Sequence, residues 1–151
     1  MLTAHHRLYL SIHPTLPVLA ISTSSTARIL VYPFFSEKRI RTLYTNAVQS
    51  DYFQPRHRWL PSGNGLVVNS EDGIVRIIDL QGKVRSEVGA HGAASRSDEQ
   101  GEPNTSERVR LRREQERGSS VIKDVEAIEE NAGGRVSIIS VGFDKTIRII
   151  Q

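Results

Sequence analysis

The chain contains no cysteine, so disulfides, thiolate chemistry and cysteine-ligated zinc are all excluded. No apolar run approaches the ~20 residues that a membrane helix needs, and His5, His6 and Arg7 interrupt the N-terminal stretch that a secretory signal would use. The expected location is cytoplasmic or nuclear, and no membrane partner is expected. Motifs for chemistry are missing as well: there is no Gly-x-Ser-x-Gly elbow, no Gly-x-x-x-x-Gly-Lys phosphate loop and no His-Glu-x-x-His. His5, His6 and His13 are the nearest approach to a metal-ligand set, but no carboxylate accompanies them, and solvent-facing loop histidines are the expectation. No catalytic residue, cofactor or metal site is expected, and the chain reads as non-enzymatic.

What the sequence does contain is unevenly spread. Residues 1–60 hold seven Lys/Arg against two acids, while residues 61–151 hold thirteen against fifteen, so the net +3 belongs to the first part of the chain. Eight of the nine aromatic residues also precede residue 60, leaving only Phe143 beyond it. Arg, Tyr and Trp are enriched at interface hot spots. The candidate partner-binding surface is therefore Tyr52, Phe53, Arg56, Arg58 and Trp59, joined by Lys38, Arg39 and Arg41. Two alternatives stand beside it. The aromatics can instead pack a core, Trp59 above all because it falls in an expected strand. The mixed basic and aromatic surface can also serve RNA or chromatin-associated binding.

Short β-branched runs dominate the chain: Val18–Ile21, Arg28–Tyr32, Leu66–Val68, Ile74–Ile78, Val136–Ile139 and Thr146–Ile150. None has helix length. Turn residues separate them, as in Pro61-Ser62-Gly63-Asn64-Gly65, Glu71-Asp72-Gly73 and Phe143-Asp144-Lys145. Close spacing with tight turns predicts an antiparallel all-β fold. Residues 93–119 differ: six Arg and six acids with Val109 and Leu111 as the only large apolar side chains. Such a stretch buries too little apolar surface to offset its ordering entropy, and a disordered charged insert is expected, with a nascent helix over Ser106–Arg117. Just after it, Ser120 lies three residues beyond Arg117, the spacing of a basophilic kinase site.

Self-comparison gives the sharpest signal. Asn69–Asp79 aligns on Val141–Gln151, sharing an Asp, a short loop and then [Ile/Thr]-[Val/Ile]-Arg-Ile-Ile, and a fainter copy ends at Tyr32. Tyr32 and Ile78 are 46 residues apart; Ile78 and Ile150 are 72 apart, which becomes 45 once the 27-residue insert is set aside. A unit of this length, with a strand, an acidic turn and a strand ending in an apolar residue before Asp, resembles the WD-repeat family. That resemblance implies antiparallel four-stranded blades of a partial β-propeller, with blades near residues 5–47, 48–92 and 121–151. It also implies that inner strands are buried on both faces and that a His, an Asp, a Ser/Thr and a Trp staple each blade. His91, Asp144 and Ser140 match that set, Asp72 matches it in the middle unit, and Ile78 and Ile150 stand where the family has Trp.

The implied function is a protein–protein interaction module or scaffold, with no partner named by fold alone. A substrate-receptor role in a ubiquitin ligase is disfavoured, because Ile78-Asp79-Leu80-Gln81 stands where such receptors carry Trp-Asp-x-Arg. Propellers use about 4–8 blades. At ~42 residues each the chain supplies roughly 3.5, with Leu2-Thr3 resembling the tail of a fourth strand and Gln151 following a third. The expectation is a piece of a longer protein, an assembly with another chain that completes the propeller, or a divergent small β domain.

Overall fold

The computed structural model describes residues 8–23, 27–50, 53–92, 106, 120–130 and 135–151. Every element in them is a strand: β1 (Leu8–Ile12), β2 (Val18–Thr23), β3 (Arg28–Pro33), β4 (Arg41–Tyr44), β5 (His57–Trp59), β6 (Gly65–Val68), β7 (Ile74–Asp79), β8 (Val84–Gly89), β9 (Ile122–Glu130), β10 (Arg135–Gly142) and β11 (Ile147–Ile150). They form three antiparallel meanders in chain order: β1 to β4, β5 to β8, and β9 to β11. The all-β antiparallel class is therefore observed, with four strands in two sheets and three in the last. The expected helix lies outside the described residues apart from Ser106; so do the rest of the charged insert, Tyr52, His5, His6 and Leu2-Thr3. No helix among the described residues is long and apolar enough to cross a membrane.

The turns follow from residue chemistry. Gly73 and Gly82 take φ of 81° and 82° in the β6–β7 and β7–β8 connections, a region open to glycine at no steric cost. In the repeated β10–β11 turn the matching residue is Lys145, at φ 63°. The Asp of each turn closes it: Asp72 Oδ1 accepts from the Ile74 N–H at 3.1 Å, and Asp144 Oδ1 from the Thr146 N–H at 3.0 Å. These are Asx turns, in which the side chain imitates a backbone acceptor.

Packing is in layers. Ala20, Ile29, Val31 and Leu43 of the first sheet meet Trp59, Leu66, Val68 and Ile78 of the second. The second sheet's opposite face contributes Val67 and Val75, which pack with Ile122, Val125, Ala127 and Ile138 of the third. The middle sheet is thus covered on both faces, which explains why all four residues of β6 are buried. Complete burial of one such aliphatic side chain stabilises by about 1.5–3 kcal/mol. The expectation that inner strands are buried on both faces fails for β1, where Leu8, Leu10 and Ile12 are exposed because no sheet of the described residues lies against that side.

Polar groups fix the layers in register. His13, expected to face solvent, is buried in the β1–β2 turn. Its Nδ1 accepts from the Thr15 and Leu16 N–H groups at 3.1 and 2.9 Å, so the proton sits on Nε2, which donates to the Gly63 carbonyl at 2.9 Å. The ring stands edge-on to Trp59 at 4.6 Å. Asn69, also buried, receives the Arg56 N–H at 2.6 Å and donates to the Ile122 carbonyl at 3.0 Å, tying the second sheet to the third.

Candidate functional site

The polar sets expected to staple the blades resolve into two separate networks. His91 follows β8 and reaches into the third sheet: its Nδ1 donates to Asp144 Oδ1 at 3.0 Å, while Nε2 and Ser140 Oγ are 2.9 Å apart. The Gly92 N–H adds a bond to Asp144 Oδ2 at 3.1 Å, and the Thr146 hydroxyl one to Oδ1 at 2.7 Å. Partial burial pushes the Asp144 carboxyl up, but the donors from Thr146, Gly92 and His91 outweigh it and hold the group down to about 2. A side chain at Gly142 would force His91 to shift, because a Cβ there would lie 2.4 Å from His91 Nδ1.

Asp72 lies in the second sheet, in the middle unit where the sequence puts it. No histidine precedes the second sheet at the corresponding place, and Arg76 takes the role instead, donating to Asp72 at 3.1 and 2.6 Å and to Glu87 at 2.8 Å. The Ser70 hydroxyl also donates to Asp72. Burial raises the Asp72 carboxyl, but the Arg76 and Ser70 hydrogen bonds outweigh it, and the net shift is downward. In the other direction, burial lowers the Arg76 guanidinium and the Asp72 and Glu87 contacts more than offset it. At the next turn Asp79 Oδ2 pairs with Arg85 Nε at 2.5 Å.

Ser140, His91 and Asp144 have the order and spacing of a nucleophile, base and orienting acid. His91 is wholly buried and Ser140 is 1% exposed, so no substrate reaches the hydroxyl in this arrangement; the set connects the chain after β8 to the third sheet. Among the described residues no group of three or more His, Asp or Glu is placed to hold a metal ion.

The first strands of the three sheets, β1, β5 and β9, lie side by side, and a second cluster forms along them. Tyr9 of β1 carries two guanidiniums over its ring, Arg56 at 4.5 Å and Arg58 at 5.0 Å from the centroid. Arg58 Nε also donates to Glu126 of β9 at 3.0 Å, with Asp124 3.9 Å from the other end of the fork. Arg58 is therefore neutralised within the molecule. The Arg56 guanidinium faces no carboxylate among the described residues and rests on the Tyr9 ring.

The remaining surface candidates divide. Phe53 and Trp59 are 4% and 8% exposed, so neither ring is available to a partner, and Trp59 is core as the alternative held. Lys38, Arg39 and Arg41 are exposed in and just after the β3–β4 connection, where Arg41 donates to the Leu80 carbonyl at 2.9 Å. Arg56 lies at the other end of the strands, beside Asn69 and the β6–β7 turn. The meander thus separates the two basic groups that the sequence placed in one surface. Ser120 is buried and donates to the Glu71 carbonyl at 2.8 Å, which closes it to a kinase in this state. Tyr9 was not among the expected surface residues; its signal is its place between Leu8 and Leu10 in an alternating strand.

No family model matches the chain, and no curated protein matches it. Among solved structures, hydrazine synthase of Kuenenia stuttgartiensis is similar over 94% of this chain and 48% of its own, at 14% identity and a TM-score of 0.44. The chain thus spans about half the length of the protein it matches.

Proposed function

We propose that the chain is a non-enzymatic protein-binding module of WD-repeat type, its three sheets serving as propeller blades, and that it meets its partner along the inner strands through Arg56 and Tyr9. The observation that carries this is the Arg56 guanidinium, held over Tyr9 with no carboxylate paired to it among the described residues. An arginine ordered on an aromatic face has already given up part of its side-chain freedom, and its donors remain open for a planar acceptor. The complement is a partner presenting Asp or Glu side chains.

RNA or chromatin-associated binding through the basic, aromatic first third of the chain is the alternative, and the neutralisation of Arg58 by Glu126 and Asp124 weighs against it. The test is affinity capture with wild type, Arg56→Glu and Arg58→Ala. The expected result is loss of partners in Arg56→Glu with a smaller change in Arg58→Ala. Retention of every partner by Arg56→Glu refutes the assignment. A bound species that proves to be nucleic acid and dissociates steeply with salt replaces it with the alternative.

A further inference from the structure

The sheet stack ends in two exposed apolar faces. On the first sheet Leu8, Leu10 and Ile12 are 65%, 52% and 61% exposed, with Tyr44 at 63% on β4; on the third, Ile147 and Ile149 are 69% and 65% exposed, flanked by Phe143 and Ile128. They are continuous faces. Ile12 pairs with Leu19 and Leu19 with Tyr32, while Ile149 pairs with Ile139 and Ile147 with Val141. Contiguous patches of this kind mark interaction sites, whereas isolated exposed aliphatics do not.

The internal repeat shows what such faces do in this molecule. The alignment makes Ile139, Ile147 and Ile149 the counterparts of Val67, Val75 and Ile77, and those three pack against the following sheet. Pairing registers make Ile12, Leu19 and Tyr32 the counterparts of Trp59, Leu66 and Ile78, and those three pack against the preceding sheet. One end therefore has the surface that a following sheet covers, and the other the surface that a preceding sheet covers. Each is the complement of the other.

We propose that the occupant of both faces is a second copy of this chain, packed head to tail, so that the Ile139, Ile147 and Ile149 face of each copy covers the Ile12, Leu19 and Tyr32 face of the other. Two copies of three sheets then close into a ring of six, and neither apolar face remains in water. Charge favours this pairing over a symmetric one. Residues 8–47 carry four basic side chains and one acidic, residues 120–151 four and five, so a head-to-tail junction sets +3 against −1, whereas joining two first sheets sets +3 against +3. Area is sufficient. At about 100 Å² per large apolar side chain, the exposed fractions leave roughly 240 Å² per face, so the two junctions of a closed pair together bury close to 1,000 Å² of apolar side chain, the lower end of the range for specific interfaces. A heterologous contact that closes gives a finite ring.

The test is the light-scattering mass of the full chain with two variants, Leu10→Glu and Ile149→Lys. Both positions are exposed in the single chain, so the folded strand content of each variant is expected to match wild type by circular dichroism. Wild type is expected at twice the 16.9 kDa chain mass, each variant alone at half that particle mass, and an equimolar mixture back at the full mass. The mixture recovers because one junction keeps two intact faces and the other sets Glu against Lys. A wild-type mass of 16.9 kDa overturns the proposal. So does an open polymer, and so does a dimer broken by Leu10→Glu but not by Ile149→Lys, which is a symmetric first-sheet contact. Neither variant touches Arg56 or Tyr9, so the mass and the partner-capture results succeed or fail separately.

Discussion

His57 makes the fold sensitive to mild acid. It lies at the start of β5, wholly buried between the first two sheets, its Nδ1 3.0 Å from Ser22 Oγ and its ring edge-on to Tyr9 at 5.2 Å. The small cavity beside it is lined by Arg28 and Arg56 and by no carboxylate, so nothing there favours a second proton. Burial therefore pushes the imidazole down from 6.5 to about 4, opposed only weakly by the Ala20 carbonyl. The folded state thus binds fewer protons than the unfolded chain between those two values. This contribution to stability is fully present above pH 6.5, declines as pH falls through the window and is spent by pH 4. At 1.36 kcal/mol per pKa unit the total is about 3 kcal/mol, and about 2 kcal/mol is lost by pH 5. Urea titrations at pH 7, 6, 5 and 4.5 measure it, with His57→Leu as control: the variant is less stable at pH 7, since the Ser22 hydroxyl loses its partner, but is expected to have a nearly flat profile over the window. Asp144 does not confuse the result, because its carboxyl titrates near 2 and its own contribution is lost only below the ordinary carboxylate range. A wild-type midpoint that does not change between pH 7 and 4.5, or an equal slope in His57→Leu, refutes the reasoning.

Three further outcomes can be checked on the same material. His91→Ala removes a wholly buried ring and strands the Ser140 hydroxyl and one Asp144 bond; denaturation should register a loss of about 2–4 kcal/mol, and an NMR titration should find the Asp144 carboxyl moved up toward its ordinary value. Gly63→Ala asks for a side chain at φ 73° with its Cβ 2.3 Å from the His13 ring, so the ring must swing away from the Gly63 carbonyl and from Trp59. A cost of at least ~1–3 kcal/mol is expected, and a neutral result would show that the β1–β2 turn is not locked by His13. Trp59 is the sole tryptophan and is buried, so its fluorescence should resist iodide quenching and stay unchanged when an inner-edge partner binds; ready quenching would contradict its place in the core.

Strand positions were legible in the sequence because each strand is a β-branched run bounded by turn residues. The runs Val18–Ile21 and Ile74–Ile78 begin where the observed strands Val18–Thr23 and Ile74–Asp79 begin and stop one or two residues short of their ends. Which faces are covered was not legible. Leu10 and Leu66 are chemically alike, yet one is half exposed and the other fully buried, because burial depends on how many sheets stand on either side and no local pattern records that. The candidate surface was mixed for a related reason. Arg41 and Arg56 are close in sequence, but a meander reverses direction at each turn and leaves them at opposite ends of the strands. Trp59 was ambiguous between hot spot and core, and its layer settles it: β5 has its Trp59 face against the first sheet.

The two repeated turns show what the repetition preserves. Asp72 and Asp144 cap their turns with the same acceptor geometry, and Ile78 and Ile150 occupy the same strand position. Their remaining partners differ in kind: Arg76 supplies a guanidinium to Asp72, whereas His91 supplies an imidazole N–H from a different part of the chain to Asp144. A carboxylate that must cap a turn is left with unused acceptor capacity near a buried strand, and that capacity has to be met by whichever donor lies within reach. In the middle sheet an arginine on the next strand is close enough, so the network is local. In the third sheet the donor comes from beyond the preceding sheet, so the same demand fastens two sheets together. The backbone geometry of the turn is therefore the repeated unit. The side chains that satisfy it vary from sheet to sheet, which is why spacing identified these positions more surely than any signature dipeptide.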